Sequence, residues 1–274
     1  MESTQGLAEN NPVAITHPWA EDAYNKMIFD LALYAGVILM ENGAETYRVE
    51  DTVERILSLS THRSMDVIAL LTGLYVTLTF DDHSFLTAVR RIKNRTFRLD
   101  RIRDVNTISR RLAKNDLSVE EAYLTLKALA DNHDSIRFSK MYHAIAAAGF
   151  ALMSGANLME SLFAGLAASS ILLTNKIVRN RLGGSFVPSF LQAFVMIFVL
   201  GLSVRFFSVL RIDRMAIGAL ISLFPGTTLT NGIRDTMRAD YLTGVGNLLA
   251  AIISSMALAV GTFFALTLTG GFFL

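Results

Sequence analysis

Charge in this chain is segregated along its length, and that segregation restricts the fold more than any average composition does. Its 25 basic and 24 acidic residues are unevenly shared: 17 and 20 fall in the first 140 positions, and only 8 and 4 in the remainder. Between those few later charges lie uncharged runs at 141–159, 161–175, 182–204, 215–233 and 241–274. A bilayer crossing takes roughly 20 mostly apolar residues, because the hydrocarbon layer is about 30 Å thick and a helix rises about 1.5 Å per residue. Runs of this kind, one after another, leave no room for a second soluble domain. The expected fold class is therefore an α-helical integral membrane protein with about five transmembrane helices, preceded by a small cytoplasmic α+β domain.

A net charge of +1 argues against nucleic acid as a partner, since phosphate neutralisation shows as a basic excess. The absence of cysteine excludes disulfides and thiolate metal sites. Scattered histidines and the run Asp131-Asn132-His133-Asp134 lack a regular ligand spacing, so no metal and no cofactor is expected. Residues Met1 to Ala20 are polar, contain Pro12 and Pro18, and lack the apolar core of a secretory signal. That places the leading domain in the cytoplasm, where its basic residues obey the positive-inside tendency.

Three segments follow: a disordered lead at 1–19, a cytoplasmic α+β domain at 20–140 and a membrane domain at 141–274. The leading domain opens with a helix from Glu21 to about Met40, with Met27, Leu31, Tyr34, Ala35 and Ile38 on one face. Asn42-Gly43 ends it, and Asn42 with Glu45 resembles a capping box for a second helix in which Asp51 and Arg55 pair at i,i+4. Met65–Leu71, Leu74–Phe80 and Phe85–Ile92 are short β-prone runs, and helices follow over about Leu99–Lys114 and Ser118–Ala130. In the membrane domain, 141–175 reads as two short helices turning near Ser154–Glu160. Further spans are expected at Val187–Val204, Met215–Asn231 and Tyr241–Thr267. Small residues every fourth position at Ala147, Ala151 and Gly155, and at Gly246, Ala250 and Ser254, predict close helix contacts within the chain or in a homo-oligomer.

The sharpest local signal is Phe224-Pro225-Gly226-Thr227-Thr228-Leu229-Thr230-Asn231-Gly232. Pro225 removes a backbone donor and Gly226 loosens the chain, so a helix breaks here and frees main-chain groups inside lipid. Thr227, Thr228, Thr230 and Asn231 then offer hydroxyls and an amide to a small polar solute, as discontinuous transporter helices do. The plain alternative is a proline kink sealed by neighbouring helices. Arg234, Asp235, Arg238 and Asp240 follow. One reading makes a carboxylate the proton carrier while the arginines attract a substrate carboxylate. The other makes them a solvated loop. Glu160 is either a proton-relay group or a hairpin-tip residue in water, and Asn175, Gln192 and Asn247 are candidate path-lining amides. In the leading domain, Gly43, Glu45, Arg48 and Glu50 pack charge at a helix junction, as a structural ion pair or a docking surface. No nucleotide-binding glycine loop and no nucleophile–base set is present, so an enzyme is not expected.

Together Gly43-Ala44-Glu45-Thr46-Tyr47-Arg48-Val49-Glu50-Asp51, Phe224-Pro225-Gly226 with Asn231-Gly232-Ile233-Arg234-Asp235, and Asp240-Tyr241 with Gly244 resemble the bacterial threonine/serine exporter family from about Ala23 onward. The resemblance implies a proton-driven exporter of small amino acids in the bacterial inner membrane, with the motif residues contributing to the transport path. Some members fuse this module to a second, smaller membrane module, and others encode the two separately. This chain resembles the larger subunit of a split exporter, which implies a small hydrophobic partner subunit. Split relatives are also associated with export of C4-dicarboxylates such as succinate. A membrane-anchored sensor or scaffold, with the leading domain as its working part, is the alternative of another class.

Overall fold

The computed structural model describes residues 18–93, 95–131, 139–178, 186–207 and 209–270. The polar lead before Pro18, His133 and Asp134 in the connection after the first domain, and Arg179 and Arg181 lie outside those residues. Two compact units make up the chain, Met1–Asn132 and His133–Leu274.

In the first unit, α1 (Pro18–Glu41) runs between α2 (Thr46–Leu57), α3 (Leu99–Ala113), α4 (Val119–Asp131) and the strand β2 (Gly73–Thr79). It starts three residues earlier than expected, with proline at its first turn, where no amide hydrogen is needed. Its central position buries Ile28, Leu31, Ala32, Ala35, Leu39 and Met40, a wider band than one apolar face. This explains why Ala23–Glu41 is long and apolar enough to cross a membrane while packing as a core helix. The strands β1 (Ser64–Leu70), β2 and β3 (Phe85–Arg91) form an antiparallel meander. Leu74, Val76 and Leu78 of β2 point into the core, as strand alternation requires. The opposite face carries the cross-strand row Ile68, Tyr75 and Val89.

Asn42 does not open α2. Its side-chain Nδ2 donates to the Ile38 carbonyl at 2.7 Å, so it closes α1, and Gly43 takes the left-handed conformation with φ +83°. The first residue before α2 is Glu45, whose backbone carbonyl accepts from the amides of Arg48 and Val49 without a side-chain cap. Four residues separate the helices, 42–45, which puts Asn42 too far upstream to cap the second. The Asp51–Arg55 pair forms as expected, at 2.5 Å, and Ser118 Oγ accepts from the Glu121 amide at the start of α4.

The second unit contains α5 (Ser139–Met153), α6 (Leu158–Ala168), α7 (Ile171–Val178), α8 (Phe186–Phe206), α9 (Ile212–Ile221), α10 (Gly226–Met237) and α11 (Tyr241–Thr269). The turn between α5 and α6 falls where the sequence places it. Ala147 and Ala151 are fully covered, and a Cβ added to Gly218 of α9 would lie 2.6 Å from the Ala151 Cβ. That small-residue row therefore does seat a helix. The second row does not lie on a seam of this kind: Gly246, Ala250 and Ser254 are half-buried, and α10 instead reaches α11 through Gly232 and Gly244. Helices α8 and α11 run parallel, with Gly201 against Thr269 and Gly261 against Phe190. As a result α8 covers the later half of α11, and α10 covers the earlier half.

Phe186–Phe206 and Tyr241–Thr269 are long and apolar enough to cross a membrane, and α9 with α10 qualifies as one further span bent by 56°. Counting Ala23–Glu41, the described residues hold three such helices, or four with the bent pair. Taken singly, α5 and α6 are shorter. The bent pair is longer than the expected Met215–Asn231. It continues to Met237, after which Arg238 leaves helical geometry at φ −94°, ψ 10° and Ala239 turns to φ +66°. Arg234 and Asp235 consequently belong to α10 and not to a loop after it.

Candidate functional site

The helix break at Ser222–Pro225 arises as the sequence requires. Pro225 cannot donate to the preceding turn, so α9 closes with the Leu223 and Phe224 amides bonding back to Leu220 and Ile221. A new helix begins at Gly226 with no side-chain cap. First-turn amides of a helix have no acceptor within it, and their aligned dipoles favour an anion. Thr227 and Thr228 follow Gly226 in the first turn of α10, so two hydroxyls stand beside those amides. Thr227 is exposed and Thr228 half-buried, whereas the Thr230 hydroxyl is spent on the Gly226 carbonyl at 2.9 Å. Asn231 is half-buried one turn further on.

The bend has a second consequence. While α10 packs on α11, α9 turns away to pack on α5, α6 and α8. Between α9 and the later half of α11 lies a cavity of about 660 Å³. Its walls are chiefly apolar: Leu220, Ile221 and Phe224 face Leu258, Phe263 and Leu266, with Ser255 and Thr262 the polar members. The threonine cluster does not line it. The break thus places its polar groups on one side and an apolar wedge on the other.

Beyond the break, α10 and α11 cross at backbone contact. A Cβ on Gly232 would lie 2.9 Å from the Leu248 amide nitrogen, and one on Gly244 would lie 2.7 Å from that of Thr236. At this crossing Asp235 is 1% exposed, and its Oδ2 accepts from Asn247 Nδ2 at 3.1 Å. Thr243, one turn before Asn247 on α11, is fully buried, and its hydroxyl has no partner among the described residues. Arg234 and Arg238 are exposed, so of the four charges expected together here the structure separates one buried carboxylate from two exposed arginines. Asp240 precedes the first residue of α11, its carbonyl accepting from the Gly244 amide. Nothing in the sequence pointed to Thr243, Gly232 and Gly244 as neighbours of Asp235. Only the i,i+4 spacing of Thr243 and Asn247 hinted at a shared face.

Glu160 is not in water. It is 1% exposed and forms a capping box with Asn157, accepting from the Asn157 amide at 2.8 Å while Asn157 Oδ1 accepts from the Glu160 amide. Its other oxygen accepts from the Arg211 amide at 3.0 Å. Arg214 adds a bond to the Gly155 carbonyl at 2.6 Å. A hairpin tip joined to the start of α9 is shielded from solvent, which corrects the expectation of a wet tip.

The motif in the first unit is also tied into its own surroundings. Glu45 lies 3.4 Å from Arg48, and Glu50 Oε1 accepts from the Ala69 amide on the outer edge of β1 at 2.9 Å. Gly43 is covered by Phe97, and the Thr96 and Arg98 amides donate to the Glu41 and Asn42 carbonyls.

Helices long and apolar enough to cross a membrane thus stand beside a bent pair that carries polar groups at its break and a buried carboxylate beyond it. The family model described as "Putative threonine/serine exporter", ThrE, matches residues 30–269, and the chain belongs to that family. Comparison with the curated proteins and with the solved structures gives no match.

Proposed function

We propose that this chain exports threonine and serine, with the broken α9–α10 pair holding the substrate and Asp235 carrying the coupling proton. The observation that supports this most is the position of Asp235: a carboxylate enclosed at a glycine-lined crossing, accepting from the Asn247 side-chain amide, on the helix that begins at the break. A change in the α10–α11 contact would open this carboxylate to water or enclose it, which is what proton coupling needs. The α-carboxylate of an amino acid suits the uncapped start of α10, and its hydroxyl and ammonium suit the Thr227, Thr228 and Asn231 side chains.

Helix α11 has 29 residues, so it is about 43 Å long against a hydrocarbon thickness of about 30 Å. One end therefore extends into the headgroups or water, and the end beside Arg234, Arg238 and Asp240 is the charged one. The break lies one α10 length, about 18 Å, from that end. In this reading the α5–α6 pair completes five spans, the first unit faces the cytoplasm of a bacterial cell, and a second small membrane subunit completes the exporter.

Reconstituted into liposomes, the chain alone and with its neighbour-encoded small membrane protein would be loaded with labelled threonine, serine or succinate under an imposed pH gradient. Gradient-driven efflux of threonine and serine is expected. Efflux of succinate alone would move the substrate to the dicarboxylates, and no gradient-dependent efflux of any of them would remove the reading.

A further inference from the structure

The first unit carries a second, stronger segregation of charge. Residues 90–114 contain 10 basic and 2 acidic residues, while the rest of 1–132 contains 5 basic and 17 acidic. The two acids are already engaged, Asp100 with Arg98 at 2.5 Å and Asp104 with Arg103 at 3.0 Å. Arg90, Arg91, Lys93, Arg110 and Lys114 are exposed and make no ion pair among the described residues. Large apolar side chains are interleaved with them: Val89 is 55% exposed, Phe97 51% and Leu99 64%.

The backbone under this segment is held in place. Thr96 and Arg98 amides bond to the Glu41 and Asn42 carbonyls, and the Arg95 guanidinium donates to the Met40 carbonyl. These contacts strap 95–98 across the end of α1, so Phe97 and Leu99 are presented from fixed backbone. Next to them, one face of α3 forms a shallow groove of about 310 Å³ lined by Leu99, Ile102, Arg103, Asn106, Thr107 and Arg110. Two arginines two helical turns apart bracket an amide and a hydroxyl there.

We propose that the surface of the first unit formed by 90–93 and 95–110 binds the anionic phospholipid headgroups of the bilayer. Excess positive charge is what an anionic headgroup layer attracts, and exposed phenylalanine and leucine beside it enter the boundary between headgroups and acyl chains. A solvated surface would gain nothing from keeping Phe97 and Leu99 exposed in the middle of a basic run. A nucleic acid would be met by basic groups without aliphatic side chains between them, and an acidic protein would not respond to lipid composition. The proposal rests on the chain being a membrane protein and not on the exporter reading.

The chain has no cysteine, so Leu99→Cys gives a single labelling position. The full chain, labelled there with a fluorophore, would be placed in nanodiscs of phosphatidylcholine alone or with phosphatidylglycerol, each containing a lipid quencher on its headgroup. Quenching at least twofold greater in the anionic discs is expected, reversed at 1 M salt, where the screening length falls to about 3 Å. The triple change Arg90→Gln, Arg91→Gln, Lys93→Gln should abolish the increase, and a label at Asp82→Cys in the β2–β3 turn should show none. Equal quenching in both compositions, with the salt series flat on the otherwise unaltered sequence, would overturn the proposal. So would a response that survives the triple change.

Discussion

Asn247 on α11 donates a 3.1 Å hydrogen bond to the carboxylate of Asp235 on α10, and both side chains are buried. The pair lies where the two helices touch through Gly232 and Gly244, so a polar bond and a close backbone approach depend on each other. Without the glycines the helices separate and the bond lengthens. Without the bond a buried carboxylate loses its amide donor.

Gly244→Ala tests that dependence. The added methyl carbon would sit 2.7 Å from the Thr236 amide nitrogen, a backbone atom that cannot rotate away. Overpacking of this kind costs about 1–3 kcal/mol. We expect a lower melting temperature in detergent and loss of export, with Gly226→Ala much milder because its nearest neighbour is 3.7 Å away. Equal effects at the two positions would detach the crossing from function.

Glu160→Gln separates structure from transport. Both carboxylate oxygens accept backbone amides, from Asn157 and Arg211, and glutamine can keep only one of these bonds without turning a donor toward a donor. Such a buried mismatch costs about 1–3 kcal/mol. Thermal stability should fall while the pH dependence of the remaining export keeps its shape. A shifted pH profile would instead give Glu160 a place in the proton path.

Glu50→Ala removes the side chain that caps the Ala69 amide on the edge of β1. An edge amide without that acceptor is left to water, and we expect a loss of about 1 kcal/mol, the typical net contribution of one hydrogen bond. Hydrogen exchange at Ala69 should quicken selectively. No change there would mean that Glu50 serves a contact outside the first unit.

Acid should loosen α3. The Arg98 guanidinium holds the Asp100 carboxyl below its ordinary value of 3.8. A carboxyl whose folded-state pKa is depressed contributes stability above its unfolded value and loses it as pH falls through the folded one. The contribution is modest, because the pair is partly exposed. Asp100→Asn should therefore weaken α3 at neutral pH and make no difference at the acidic end, measured by exchange of the α3 amides.

Much of this architecture was legible in the residues. The charge segregation, the three strands and the break at Pro225 all follow from local chemistry: solvation of charge, alternation of apolar side chains and a missing amide hydrogen. What the sequence concealed depends on which helices meet. The Asp235–Asn247 bond joins residues whose proximity requires α10 to fold back on α11. Glu160 looked like a wet tip because its acceptor role depends on Arg211, 51 positions away. Asn42 looked like a cap for α2 because composition cannot say whether a residue closes one helix or opens the next. The length of α1 carried the opposite warning, since an apolar helix wrapped by its own domain has the same composition as one wrapped by lipid.

The central claim is that Asp235 couples proton movement to export, and Asp235→Asn tests it most directly. In liposomes, threonine exchange down its own gradient and uphill export driven by a pH gradient would be measured on the same preparation. The account predicts that exchange persists, because asparagine still accepts from Asn247, while pH-driven accumulation is lost. Uphill export at the unaltered level in that variant would contradict it.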